Sequence, residues 1–231
     1  MNTAIYTKLL THKNKWISLI AVIFLGYQSI SADSMLVKLG MPSLDTFIQE
    51  PRDLLVSRVE AAKNVQSDTA EEFKSALEEF KSVTNFSGGD IEAKYNSLNK
   101  TFERCEEAAE KVTNRVNRVE GAANKLLAEW RDELEDYHDA TIRRNAEKQF
   151  DQTRQQAEQL LSALRVVERK TEPVLGAFRD QVLFLKHNLN MQAISSLQQT
   201  TTEIQQDVTA LISEMEAAIV QAEQFIKSMD A

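Results

Sequence analysis

The sequence predicts an all-α protein: an elongated antiparallel four-helix coiled-coil bundle with a projecting helical hairpin, preceded by an N-terminal signal segment. Three observations predict it. Only six Gly and three Pro interrupt 231 residues, of which 7% are aromatic; sandwiches, barrels and doubly wound sheets need more turn formers than that. Apolar residues recur in alternating steps of three and four over long stretches, the 3.5-residue period of helices that wind around one another. That period breaks at three places, each with residues suited to a helix end.

The N-terminal segment, residues 1–32, carries Lys8, Lys13 and Lys15 and no acid, then an apolar run at 16–27 (WISLIAVIFLGY) and small side chains at 28–32 (QSISA). It reads as a secretory signal cleaved after Ser31 or Ala32. The apolar run falls short of the roughly 20 residues of a spanning helix, so cleavage is expected over retention as an inner-membrane anchor. Either way the basic flank stays inside and the remainder is exported to the periplasm; membrane association is expected only through this segment, if it is uncleaved. Residues 33–50 contain Gly40 and Pro42 and read as a connector, with a short helix beginning at Ser43. The bundle is assigned to residues 51–231.

The first long helix is predicted over 51–84, with Pro51 in its first turn and Asp53 complementing the dipole. Its stripe is Leu55, Val59, Ala62, Gln66, Thr69, Phe73, Ala76, Phe80 and Val83, with two polar members. Gly88 and Gly89 permit a reversal, and Asp90 can cap the next helix.

The second helix, predicted over 90–137, shows the clearest pattern: Ile91, Tyr95, Leu98, Phe102, Cys105, Ala109, Val112, Val116, Val119, Ala123, Leu126 and Trp130 follow unbroken heptad steps. Such a period imposes left-handed supercoiling. Beyond Trp130 the stripe shifts to Leu134 and Tyr137, one residue late. Asp139 can cap a third helix, predicted over 141–188, whose stripe runs from Ile142 to Leu189. The heptad phase carries across Pro173, which predicts a kink and not an end. The last break, at Asn188-Leu189-Asn190, precedes a fourth helix over 191–229 with a stripe from Ile194 to Met229. At ~1.5 Å per residue the helices span on the order of 50, 70, 75 and 60 Å, and the middle hairpin, residues 125–151, is expected to project by roughly four turns.

Charge and motifs narrow the chemistry. Without residues 1–32 there remain 24 basic and 35 acidic residues, a net of −11, which disfavours nucleic acid because that affinity comes from cations displacing counterions. No G-x-x-x-x-G-K-[ST] is present to cradle phosphates, and Gly88-Gly89 is followed by Asp90. The lone Cys105 lies on the apolar stripe and reads as a core residue, not a reactive thiol. Glu135-x-x-His138 is the one match to a di-iron half-site, but that chemistry needs a second Glu-x-x-His and two further Glu facing the same core, and no second copy exists. His187 lies too far along the chain to help, so Glu135, His138 and Asp139 read as a solvated helix end.

Two segments carry candidate binding residues. The hairpin tip clusters Arg131, Asp132, Glu133, Glu135, Asp136, Asp139, Arg143 and Arg144 around Trp130, Tyr137 and Ile142. It reads as a charged helical turn or, more sharply, as a partner-binding tip, with Trp130, Tyr137, Arg143 and Arg144 as anchors. In residues 179–188 the apolar positions exceed one stripe. There Arg179, Asp180 and His187 are expected to satisfy one another or helix-end groups, the alternative being a docking surface that uses Arg179 and His187.

Residues 55–66 (LVSRVEAAKNVQ), 71–80 (EEFKSALEEF), 85–99 (NFSGGDIEAKYNSLN) and above all 172–198 (EPVLGAFRDQVLFLKHNLNMQAISSLQ) resemble the family known as domain of unknown function 2959, exported helical coiled-coil proteins of Gram-negative bacteria. The resemblance runs from residue 55 to 229 and implies export and a helical fold, with no particular activity. Many members end the signal with a lipid-accepting Cys; here Tyr27-Gln28-Ser29 stands in its place. The expectation is a non-enzymatic cell-envelope protein, an interaction or spacer module with no cofactor or metal, whose partner is an envelope protein or a second copy. The alternative is a membrane-inserting protein resembling pore-forming helical toxins, with a metalloenzyme last.

Overall fold

Three short reversals, each closed by a side chain that accepts from the next helix, divide the chain into α1 (Leu44–Thr84), α2 (Ile91–Leu134), α3 (Ala140–His187) and α4 (Met191–Asp230). A computed structural model describes residues 44–230, with side chains for 51–229. The signal assigned to 1–32 lies outside the described residues, as does most of the connector. Asp90 Oδ1 accepts from Ala93 N at 3.0 Å, Asp139 Oδ1 from Thr141 N and Ile142 N at 2.8 and 2.9 Å, and Asn190 Oδ1 from Ala193 N at 3.0 Å. Each satisfies donors that a helix start leaves without intrahelical partners. In the first reversal Gly88 and Gly89 take φ of 155° and 121°, a region that a Cβ would strain.

Two boundaries differ from the expected ones by more than one residue. The first helix begins at Leu44, before Pro51, so the short helix expected at Ser43 and the long one form a single element. The fixed φ of proline is itself helical, and the helix passes through at the loss of one backbone hydrogen bond. The second helix ends at Leu134, before Tyr137. There Glu135 N and Asp136 N turn back onto the carbonyls of Asp132 and Glu133, the tighter three-residue bonding common at helix ends. Pro173 lies inside α3, which continues to His187.

Two compact units divide the described residues, 58–120 with 158–230, and 44–57 with 121–157. In the first, four helices surround one core. Thr69 and Ser82 of α1 meet Ala108 and Lys94 of α2, so numbering rises on one helix as it falls on the other. The same reversal relates α2 to α3 (Glu106 with Arg179, Glu120 with Arg165), α3 to α4 (Lys170 with Glu214, Gln181 with Thr200) and α1 to α4 (Lys63 with Glu223, Thr84 with Gln198). Sequential helices are antiparallel neighbours, and α4 closes the ring on α1. Across its centre Phe80 of α1 meets Phe178 of α3 edge to face at 5.9 Å.

The heptad stripes supply this core. From Val59 to Val83 each member of the α1 stripe is buried, the polar Gln66 and Thr69 included, and Thr171 of α3 is buried with them. Thr69 Oγ1 and Thr171 Oγ1 donate to the carbonyls of Ala108 and Val167, but Gln66 Oε1 has no hydrogen-bond partner among the described residues. Ala70, Leu77, Ala108 and Leu175 are buried beside the stripe. The apolar face of each helix is thus wider than a two-residue seam, as a helix with several neighbours requires.

In the second unit, the described residues are the start of α1 and the hairpin of α2 and α3. Leu134, Ala146 and Phe150 form a small core, with Leu127, Trp130 and Tyr137 packed against it half-buried. The hairpin of residues 125–151 shares its unit with the first turns of α1.

Candidate functional site

The α2–α3 hairpin concentrates aromatic and charged side chains around its reversal. Trp130 stands edge-on to Phe150, ring centroids 5.9 Å apart at 85°, and the Arg131 guanidinium lies 5.7 Å from the Phe150 centroid. Phe150 is thereby covered by an indole edge and a cation, so Arg131 belongs to the packing as well as to the surface. Tyr137 is half-buried and its hydroxyl, fully enclosed, has no hydrogen-bond partner among the described residues. Burial raises the Tyr137 phenol above its ordinary range, and the Glu133 carboxylate adds to the effect.

The hairpin's acids divide by environment. Asp139 is solvated and its carboxyl is held below the usual range by the backbone N–H of Ile142, then that of Thr141. Glu133 shows the reverse: burial, then the neighbouring carboxylates of Glu129 and Asp136, push it up to about 7. Sequence reasoning placed Glu133 among the charges of the tip but not in a half-buried position. The signal was present, since Glu129, Glu133 and Asp136 fall on one helical face together with Trp130 and Tyr137.

Of the predicted anchors in this hairpin, Arg143 is engaged along its own helix, Nε donating to Glu147 at 2.9 Å. Arg144 is exposed and has no ion-pair partner among the described residues. The other two predicted residues belong to the four-helix unit, so the six do not gather into one site. Arg179 does not pair with Asp180 or His187 as expected. Its guanidinium donates to Glu106 of α2 at 2.8 Å, lies within 3.7 Å of Glu172, and stands 5.9 Å from the Phe102 ring. The reason is helical geometry: residue 180 points about 100° away from residue 179, whereas the facing helix brings Glu106 within reach. His187 is exposed in the last turn of α3.

Cys105 is 1% exposed, with Sγ 3.4 Å from the Glu72 carbonyl, and burial pushes its thiol up to about 12. It is a core side chain. Among the described residues no three His, Cys, Asp or Glu side chains come close enough to share a metal ion, and no helix is long and apolar enough to cross a membrane.

The model of the protein family of unknown function DUF2959 matches residues 42–229. The chain belongs to that family. No curated protein and no solved structure matches it. Membership of the DUF2959 family assigns the chain no activity.

Proposed function

We propose that the chain is an exported, non-enzymatic interaction module of the cell envelope, which captures a protein partner at the α2–α3 hairpin. The observation that carries this reading is the state of the hairpin surface. Trp130 and Tyr137 retain exposed area, and Arg144 is exposed without an ion partner among the described residues. Aromatic rings and arginine anchor protein interfaces because they combine large apolar area with directional donors. The four-helix unit contrasts with this: its heptad positions and interhelical ion pairs are taken up in holding the helices together, which suits a carrier or spacer. Export to the periplasm is part of the proposal and rests on the composition of residues 1–32.

Photo-crosslinking in intact cells tests it. A photoreactive residue in place of Arg144 should give a discrete adduct with one envelope protein or with a second copy. Arg143→Glu should remove that adduct and leave the melting temperature within about 1 °C, because an exposed pair along one helix contributes little to stability. An Arg144 probe without an adduct, or an adduct indifferent to Arg143→Glu, would refute the hairpin as the capture site.

A further inference from the structure

The reversal between α3 and α4 carries apolar surface that the bundle does not use. Leu183, Phe184, Leu189 and Met191 are 45%, 40%, 40% and 50% exposed, four of the six large apolar side chains exposed among the described residues. They are not a failure of the heptad pattern. Val182 and Leu185 occupy its core positions and are buried, so the exposed four are additional to the core. Single exposed apolar residues are ordinary, but four within nine positions form a patch that water disfavours.

The charge of this segment is as unusual as its hydropathy. Acidic residues number 35 in the chain, yet none occurs from residue 181 to 202, where Lys186 and His187 are the ionisable side chains. Lys186 is exposed and has no carboxylate partner among the described residues. The neighbouring α1–α2 reversal lies alongside, since Gln198 Nε2 donates to the Thr84 carbonyl at 2.7 Å. It adds the half-buried Phe86, Lys81 paired with Glu78 at 3.3 Å, Lys94 donating to Ser82, and the acids Asp90, which caps α2, and Glu92.

We propose that the α3–α4 reversal docks on an anionic lipid surface. Leu183, Phe184, Leu189 and Met191 enter the boundary between headgroups and acyl chains, and Lys186 lies against lipid phosphates. An apolar patch around Lys186, in a segment that holds no acid from residue 181 to 202, matches that interface, where apolar burial and attraction to anionic headgroups act together. The contact is peripheral, because no described helix is long and apolar enough to cross a membrane. A second copy fits less well. Two-fold contact through the same patch would enclose the Lys186 side chains of both copies in apolar surface, with no acid from residue 181 to 202 to pair with them. This inference does not depend on the hairpin reading.

The test uses the full chain with a single environment-sensitive dye. In Leu189→Cys the new thiol takes the label, since Cys105 is buried and its thiol is pushed up to about 12. Vesicles of phosphatidylethanolamine and phosphatidylglycerol should raise the emission of this dye severalfold, and brominated acyl chains should quench it. The same dye at Val220→Cys, an exposed apolar position elsewhere on α4, should stay unchanged. That control separates docking at the reversal from tethering by the N-terminal segment. Lys186→Glu should weaken the response on the order of tenfold in vesicle concentration, as reversal of one charge near an anionic surface implies. Arg143→Glu should leave it unaltered, so this proposal and the hairpin proposal fail separately. No response at Leu189, an equal response at Val220, or an equal response with pure phosphatidylcholine would overturn the proposal. So would a response without vesicles that grows with protein concentration, which would indicate a second copy.

Discussion

One seven-residue spacing runs through both units and produces two degrees of burial. In the four-helix unit Phe73, Phe80, Leu98, Leu164 and Leu197 are fully buried, whereas in the hairpin only a short run of the stripe, Leu134, Ala146 and Phe150, is buried, and Leu126, Trp130, Tyr137, Ile142 and Thr153 stay half-buried. Four helices close a core around each side chain, while fewer leave part of it in water. Periodicity states which face of a helix turns inward; it does not state how many neighbours cover that face.

The comparison can be broken first at its aromatic contacts. Phe80→Ala removes a fully buried ring that meets Phe178 across the core and should cost about 3–5 kcal/mol in denaturant unfolding. Phe150→Ala, in the smaller core, should cost about 2 kcal/mol, because the site can relax toward solvent. Hydrogen exchange should confine that loss to amides of residues 121–157. Equal and global losses from the two substitutions would show that the units share one core.

A polar position sharpens it next. Gln66 is 1% exposed with Oε1 unpartnered, so Gln66→Leu should raise stability by about 1–2 kcal/mol, read as an increase in melting temperature. A decrease would reveal a partner for the amide, and with it a register-setting role for the buried Gln66, Thr69 and Thr171.

The smallest expected effect is electrostatic and belongs to the hairpin. Glu133 has its carboxyl raised to about 7 in the folded chain from an ordinary 4.5, so the native state holds the proton more tightly than the unfolded one. Its contribution is fully present below pH 4.5 and is lost as pH rises through 7. Solvent reaches part of the carboxyl, which reduces the loss to about 1 kcal/mol. Glu133→Gln should flatten that dependence, measured as hairpin hydrogen exchange between pH 5 and 8 at about matched intrinsic rates. A stability that rises over the same interval in the parent chain would contradict the burial of Glu133.

Much of this was legible because the signals were local. Asp90, Asp139 and Asn190 cap the helices at positions where the sequence pattern breaks, and the α1 stripe is buried throughout, its polar members included. What escaped was decided by contacts between distant residues. A strict heptad chose Ala109, but the deeper residue is Ala108, since a helix with more than one neighbour buries a broad face. Pro51 suggested a helix start, and only the whole element shows the helix passing through it. Nothing in residues 179–188 pointed to Glu106, which lies far away in the chain.

By itself the sequence determined the all-helical class, the three reversals and the inward face of each helix, because these follow from side chains within a few residues of one another. Tertiary structure alone decided that Arg179 turns to α2, that Gln66 is left with an unpaired oxygen, and that Leu183, Phe184, Leu189 and Met191 stay outside. Each of those outcomes depends on which surfaces of separate helices come together, and spacing along one helix carries no record of what lies opposite.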